Sequence, residues 1–237
     1  MTKQNTVSIV IPTFNEERFL ESTLKSVRNQ TYKGECEIIV VDSMSTDRTA
    51  EIAKKYADKV IIKKTTIAEA KNLGAEKSSG SVIVFLDADT LLDKNFVTRA
   101  TKHLKSPKVS MVVGTFASLE SDIRSKLTAK LWCETCNAIS MLGRLFHVGP
   151  ATFAVKKDKF KIVKGYDENY TVFEDVHFSA KIGGTGRVVL DRSLKNMTSM
   201  RKFNNYGHFK WSLYTLKLCL MYLVLSRPLD VKYPHTK

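Results

Sequence analysis

An α/β fold with a mostly parallel central sheet and helices on its faces is the expectation from this sequence. Two observations carry it. Apolar runs of strand length alternate with amphipathic helical segments four times in the first part of the chain, the rhythm of right-handed βαβ units. Glu16, Asp42, Asp87 and Asp89 all fall at or just past the ends of those runs. The carboxyl ends of parallel strands share one edge, where α/β sheets bind ligands, so acids far apart in sequence converge there.

Val7 to Pro12 reads as a first buried strand, closed by a proline that cannot donate to a ladder. Phe19, Leu20, Leu24 and Val27 then make one helical stripe, with Asn15 or Thr13 as the expected cap. Glu37 to Asp42 is a second strand, and Ser43 to Asp47 is turn chemistry opening a helix through Tyr56. Lys59 to Ile62 is a third, short strand, and Ile67 to Lys77 a helix. Val82 to Thr90 (VIVFLDADT) is an apolar run that stops in two carboxylates one residue apart. Alternation along an extended chain puts Asp87 and Asp89 on the same side. Two oxygen ligands at a strand end suit a hard divalent cation that neutralises phosphate.

Downstream, a helix is expected over Lys94 to Leu104, a strand over Val109 to Val113 and a long helix over Ile123 to Leu142. Gly149 to Val155 reads as a strand and Gly165 to Glu168 as a turn. Phe173 opens a helix to Ile182, which puts Glu174 and Asp175 in a first turn whose dipole favours negative charge. Gly183 to Gly186 is glycine-rich, but it follows a helix and precedes the strand Arg187 to Leu190, the reverse of a dinucleotide fingerprint. It is a turn.

Composition narrows the partners. A formal charge of +14 over 237 residues predicts attraction to phosphate-rich ligands or an anionic surface. The basic residues are scattered, with no clustered basic and aromatic patch, which argues against a nucleic-acid module. Four cysteines are too few for a disulfide scaffold, and the lone C-x-x-C of Cys133 and Cys136 reads as two small side chains one helical turn apart. The first six residues lack the apolar core of an export signal, so the sequons at Asn29, Asn169 and Asn196 are read as coincidental. From Trp211 to Leu225 runs a mostly apolar stretch interrupted by Lys217, with Arg201, Lys202, Lys210, Arg227 and Lys232 on its flanks. It is shorter than the ~20 residues that span a bilayer, and its aromatic and basic anchors suggest a helix in the membrane interface.

In order, Ser8 to Glu16 (SIVIPTFNE), Ile39 to Asp47 (IVVDSMSTD), Ala70-Lys71-Asn72, Asp87-Ala88-Asp89 and Glu174-Asp175 resemble the motifs of family-2 glycosyltransferases with a GT-A fold. Among them the chain looks most similar to polyprenyl-phosphate mannose synthases and the catalytic core of cellulose-synthase-like enzymes. It departs from the family where V-D-D-G-S reads Val41-Asp42-Ser43-Met44-Ser45, where A-R-N reads Ala70-Lys71-Asn72, and in lacking Q-x-x-R-W. The resemblance implies that Pro12, Thr13, Glu16 and Asp42 hold base and ribose, with Ala70 and Lys71 also at the donor. It implies that Asp87, Ala88 and Asp89 take the diphosphate with Mn²⁺ or Mg²⁺, Asp87 and Asp89 being the metal ligands. Asp175 would be the catalytic base, and Arg201 and Lys202 would meet a phosphate. The expected enzyme moves a hexose with inversion from a nucleotide-sugar, GDP-mannose or a UDP-sugar, to a lipid-phosphate or lipid-linked acceptor at the cytoplasmic face of a membrane. Residues 1–200 would be catalytic and 201–237 the membrane-interface segment. The rivals are a nucleotidyltransferase, which would need a glycine-rich loop after the first strand, and a non-catalytic nucleotide-sugar module.

Overall fold

The structure, a computed structural model, describes residues 6–141 and 152–225. Its core is an eight-stranded sheet in the order β3-β2-β1-β4-β7-β6-β8-β5. The strands are β1 (Thr6–Thr13), β2 (Glu35–Asp42), β3 (Lys59–Ile62), β4 (Val82–Phe85), β5 (Thr90–Leu91), β6 (Val109–Ser118), β7 (Phe153–Lys156) and β8 (Arg187–Thr198). The helices are α1 (Leu20–Arg28), α2 (Thr49–Tyr56), α3 (Ile67–Lys77), α4 (Phe96–Leu104), α5 (Ile123–Met141), α6 (Lys157–Ile162), α7 (Glu174–Gly183), α8 (Arg201–Tyr206) and α9 (His208–Leu225). β3, β2, β1 and β4 are parallel neighbours, and β6 and β8 are parallel to each other. Only β7 and the two-residue β5 run against the rest. The mostly parallel α/β sheet is as the sequence led us to expect.

Both faces of the sheet are covered, which explains the unbroken apolar runs. On one face Val7, Ile9 and Ile11 of β1 pack with Leu20, Leu24, Ala53, Phe96 and Ala100 of the helices. On the other, Val10 meets Ala68 and Ala75 of α3, and Phe85 packs with Phe160, Tyr166 and Phe178. Gly74 lets α3 lie directly on β1, since a Cβ there would stand 2.3 Å from Val10 Cγ1. A third core joins α5, α7 and α9 through Ala129, Cys133, Cys136, Tyr170, Val172, Val176, Met200 and Leu218.

Several boundaries differ from the sequence reading, each for a physical reason. β1 continues through Pro12 to Thr13, because β4 pairs with β1 only as far as Val10 and asks no N–H of the proline. Neither Asn15 nor Thr13 caps α1, whose cap position is Phe19; Thr13 instead bonds Asp42, and Asn15 takes a left-handed backbone and receives Thr46 N. α3 matches its expected span and carries a Thr66–Glu69 capping box. β4 ends at Phe85, and residues 87–90 close a turn in which Thr90 N donates to Asp87 O, so alternation does not govern the two aspartates. β8 runs eight residues past Leu190, with an irregularity at Gly114/Thr115 where Asp191 accepts from the Ser193 amide and hydroxyl. α8 is a helix where none was expected, and α9 starts at His208 rather than Trp211. Residues 149–151 of the expected Gly149 strand, Leu142 of the long helix, and Arg227 and Lys232 lie outside the described residues. Cys133 and Cys136 are buried one turn apart on α5 as thiols, with no disulfide between them. Asn196 is buried and bonded to Thr115 O, so its sequon is a core position.

Candidate active site

The carboxyl ends of β1, β2 and β4 carry the first group of acids to one edge. Thr13 and Asp42 are register partners, and Thr13 Oγ1 donates to Asp42 Oδ1 at 3.0 Å. Ser45 N donates to Asp42 Oδ2 at 3.0 Å, closing the turn after β2. Met44 within that turn has a left-handed φ of 62°, a conformation that costs a non-glycine residue about 1–3 kcal/mol. The β1 loop is tied to the β2 loop by Asn15 N to Ser45 Oγ at 2.8 Å and Glu16 N to Thr49 Oγ1 at 2.7 Å. The Asp87–Asp89 turn is anchored to α1 by Thr23 Oγ1 donating to Ala88 O at 2.8 Å.

The second group arrives from the far half of the chain. Phe173 adopts a left-handed backbone (φ 60°) immediately before α7, whose first two residues are Glu174 and Asp175. Between them and the sheet lies Lys71, fully buried on α3. Its Nζ donates to Asp175 Oδ1 at 2.7 Å and Oδ2 at 2.8 Å, and to Glu174 Oε1 at 3.0 Å. Tyr166 OH adds a bond to Asp175 Oδ1 at 2.9 Å, its ring stacked on Phe178 at 4.3 Å. Lys71, expected at the donor, is thus placed on the acids of α7. Ala70 beside it packs against Ile39 and Val41, so its methyl group serves the core.

Arg201 makes the matching bridge on the other side. Its Nη1 donates to Glu16 Oε2 at 2.7 Å, Nη2 to Glu16 Oε1, and Nη2 lies 3.2 Å from Asp89 Oδ2. The guanidinium also sits over the Phe19 ring, 5.2 Å from its centroid. Its Nε is buried and, among the described residues, has no hydrogen-bond partner. Arg201 is delivered by β8: Thr198 Oγ1 accepts from Thr90 Oγ1, Ser199 N donates to Asp89 O, and Glu120 accepts from Ser199 Oγ and Met200 N. Lys202 follows within electrostatic reach of Asp87 and Asp89.

The electrostatics are those of a crowded acidic site. Burial, with Asp89 and Glu174 adding to it, pushes the Asp87 carboxyl up to about 6 against the pull of Lys71 and Lys202. Burial and Glu16 raise Asp89 despite Arg201. Burial and Asp175 raise Glu174 despite Lys71. Burial by itself would lower Lys71, but Asp175, Glu174 and Asp87 outweigh it and hold the ammonium above its usual range. The carboxylates of Glu16, Asp87, Asp89, Glu174 and Asp175 outnumber the cations Lys71, Arg201 and Lys202 by two. Among the described residues no three of His, Cys, Asp and Glu are grouped to hold a metal by themselves. An all-oxygen pair with two surplus charges fits a divalent ion that completes its shell with water and substrate phosphate. His177 is not part of this cluster and stacks on Tyr170 at 4.2 Å.

Sequence reasoning passed over Tyr166, Glu120 and Phe19. Gly165-Tyr166 read only as a turn, and the other two carry no motif. Their partners lie at separations from 9 to 182 residues, which local pattern does not show.

A fold of this class, with acids gathered at the carboxyl edge of a mostly parallel sheet, has clear counterparts. The family model described as glycosyl transferase family 2 matches residues 8–165, and the chain belongs to that family. It is similar to the probable glycosyltransferase YdaM of Bacillus subtilis, 29% identical over 199 residues, covering 76% of this chain and 47% of that protein. It is 33% identical over 116 residues to the glycosyltransferase AglE of Haloferax volcanii, 46% of this chain and 38% of AglE. The chain spans less than half the length of either relative. Among solved structures, the mannosyltransferase PcManGT of Pyrobaculum calidifontis in complex with GDP-Man and Mn²⁺ superposes with a TM-score of 0.66 at 22% identity, covering 87% of this chain and 59% of that one. S. aureus TarS 1-349 in complex with UDP gives 0.65 at 18% identity, covering 82% and 60%. These likenesses establish the GT-A architecture.

Proposed function

We propose that the protein is an inverting, metal-dependent glycosyltransferase that moves a hexose from a nucleotide diphosphate sugar to a lipid-linked or polyprenyl-phosphate acceptor. The observation that carries this reading is the convergence of Glu16, Asp42, Asp87, Asp89 and Asp175, from four separate segments, on one sheet edge. In this reading Pro12, Thr13, Glu16 and Asp42 hold base and ribose, and Arg201 and Lys202 meet phosphate oxygens, the unpartnered Arg201 Nε being one further donor. Asp87 and Asp89 would hold Mn²⁺ or Mg²⁺, which supplies positive charge to the departing nucleoside diphosphate. Asp175 accepts the proton of an attacking acceptor hydroxyl, or orients an acceptor phosphate already ionised. Lys71 and Tyr166 fix its carboxylate for that task. Attack opposite the leaving group, with no covalent intermediate, inverts the anomeric centre.

Mannose from GDP-mannose is the favoured donor, supported by the PcManGT likeness; the TarS structure holds UDP and keeps a UDP-sugar as the second choice. A polyprenyl-phosphate mannose-type synthase at the cytoplasmic face of a membrane accommodates both the acid site and the +14 charge. Residues 1–200 would be catalytic and 201–237 would meet the membrane.

Calorimetry with GDP-mannose, UDP-glucose and UDP-N-acetylglucosamine, with and without Mn²⁺, tests the donor site. We expect Mn²⁺-dependent binding of one donor, abolished in Asp89→Ala. Binding of none would turn the reading toward a non-catalytic module. Asp175→Asn should bind donor normally and transfer about 10²–10⁴-fold more slowly; full activity in that variant would remove Asp175 from the chemistry.

A further inference from the structure

We propose that α5, together with α9, forms a lipid-docking surface for an anionic bilayer. Ile123, Leu127 and Leu131 on α5 recur at four-residue spacing, and Phe209, Leu213 and Leu216 on α9 at four and three, so each set is one stripe of its helix. All six are between 39% and 86% exposed, and they make up most of the large apolar side chains that the described residues leave in solvent. Single exposed leucines are ordinary, but a stripe about two turns long on each of two packed helices marks an interaction face.

Charge selects the occupant. Exposed Lys126 and Lys130 run along one side of the α5 stripe and Arg124 along the other, while Lys210 and Lys217 flank the α9 stripe. The described part of α9 has no acid, and Glu134, where the α5 stripe ends, is paired with Arg192. Apolar side chains edged by cations suit the boundary between acyl chains and anionic headgroups. No helix among the described residues is long and apolar enough to cross a membrane, so this surface lies on the bilayer.

The opposite faces of the same helices lead to the chemistry. Ala129, Cys133 and Cys136 of α5 and Leu218 of α9 share a core with Tyr170, Val172 and Val176 around Glu174-Asp175, and with Met200 before Arg201. Thr128 Oγ1 bonds His208 Nδ1 at 2.7 Å, and Ser125 Oγ bonds Asn204 Oδ1 at 3.2 Å, fastening α5 to α8 and α9. A bilayer held at this face puts a lipid-borne acceptor next to the acid site. That last step rests on the proposed transferase reading; the docking itself does not.

Flotation of the full chain with phosphatidylcholine vesicles, with and without about a third phosphatidylglycerol, is the test. Wild type should float with the anionic vesicles only. Leu127→Glu/Leu131→Glu should lose partitioning about tenfold or more, and Lys126→Glu/Lys130→Glu should lose it likewise. Donor calorimetry and circular dichroism on the same variants should be unchanged, which separates failure of docking from failure of the donor site. Three results would overturn the proposal: no flotation of wild type, undiminished flotation of the Leu127→Glu/Leu131→Glu variant, or light scattering that shows a dimer which this variant dissolves.

Discussion

Lys71 and Arg201 each hold two carboxylates together across the same site, and they do so under different conditions. Lys71 is 1% exposed and comes from the middle of a sheet-packed helix; Arg201 is 23% exposed and comes from the first residue of a six-residue helix. The Lys71 bridge is enclosed by Tyr166 and by the aromatic cluster beneath it. The Arg201 bridge is more exposed and, among the described residues, leaves one guanidinium donor unsatisfied. Ion pairs gain from low dielectric and suffer from desolvation, so depth changes what removal of one partner costs. The Lys71 clamp reads as part of the frame, and the Arg201 clamp as a place where charge can be exchanged.

The largest effect should come from Lys71→Met. It leaves Glu174 and Asp175 buried without their cation and should cost about 3–5 kcal/mol in urea unfolding. A loss under about 1 kcal/mol would mean that solvent reaches the pair and that the contrast is false. Between the clamps, Asp87→Asn should stabilise the protein in a chelating buffer. The folded Asp87 titrates near 6 rather than the ordinary 3.8, so its neutral form contributes stability that is present below pH 4 and lost as pH rises through 6. Asparagine keeps the neutral form, and the gain should therefore be near zero at pH 4 and about 1–3 kcal/mol at pH 7 and above. A gain independent of pH would point to packing instead of charge. Arg201→Ala should cost least, about 1–2 kcal/mol, because water replaces part of the lost contact. It should also bind Mn²⁺ alone more tightly than wild type, by removing the cation that Asp89 already faces, while binding nucleotide more weakly. Weaker Mn²⁺ binding would show that Arg201 supports the acids instead of occupying their charge.

The first half of the chain was legible because its structure is local. Each βα unit carries its own apolar strand, turn and stripe, so β1 to β4 and α1 to α3 follow in order and their acids fall on one edge. α3 was readable almost to the residue, from Ile67 to Lys77. The other half was read less well because distant partners determine it. β8 reads as strand only to Leu190; beyond that its residues are mostly polar, and they stay in the sheet because Leu194 is buried in the core, Asn196 bonds Asp93 N and Thr115 O, and Thr198 bonds Thr90. β7 gives no hint of running antiparallel. Lys71 was visible as a motif residue, but its destination depends on α7, more than a hundred positions away. Periodicity showed which residues matter more readily than which of them touch.

Gly74 stands one turn beyond Lys71 on the same helix and presses α3 against Val10. The separation between that helix and the sheet is thus set by a missing methyl group, and so is the depth at which the lysine ammonium emerges. A side chain at position 74 would lift the helix and draw the ammonium away from Asp175 without touching any charged group. The alignment of the acid site is in this sense a mechanical tolerance, held by a hydrogen atom on the far side of the chemistry.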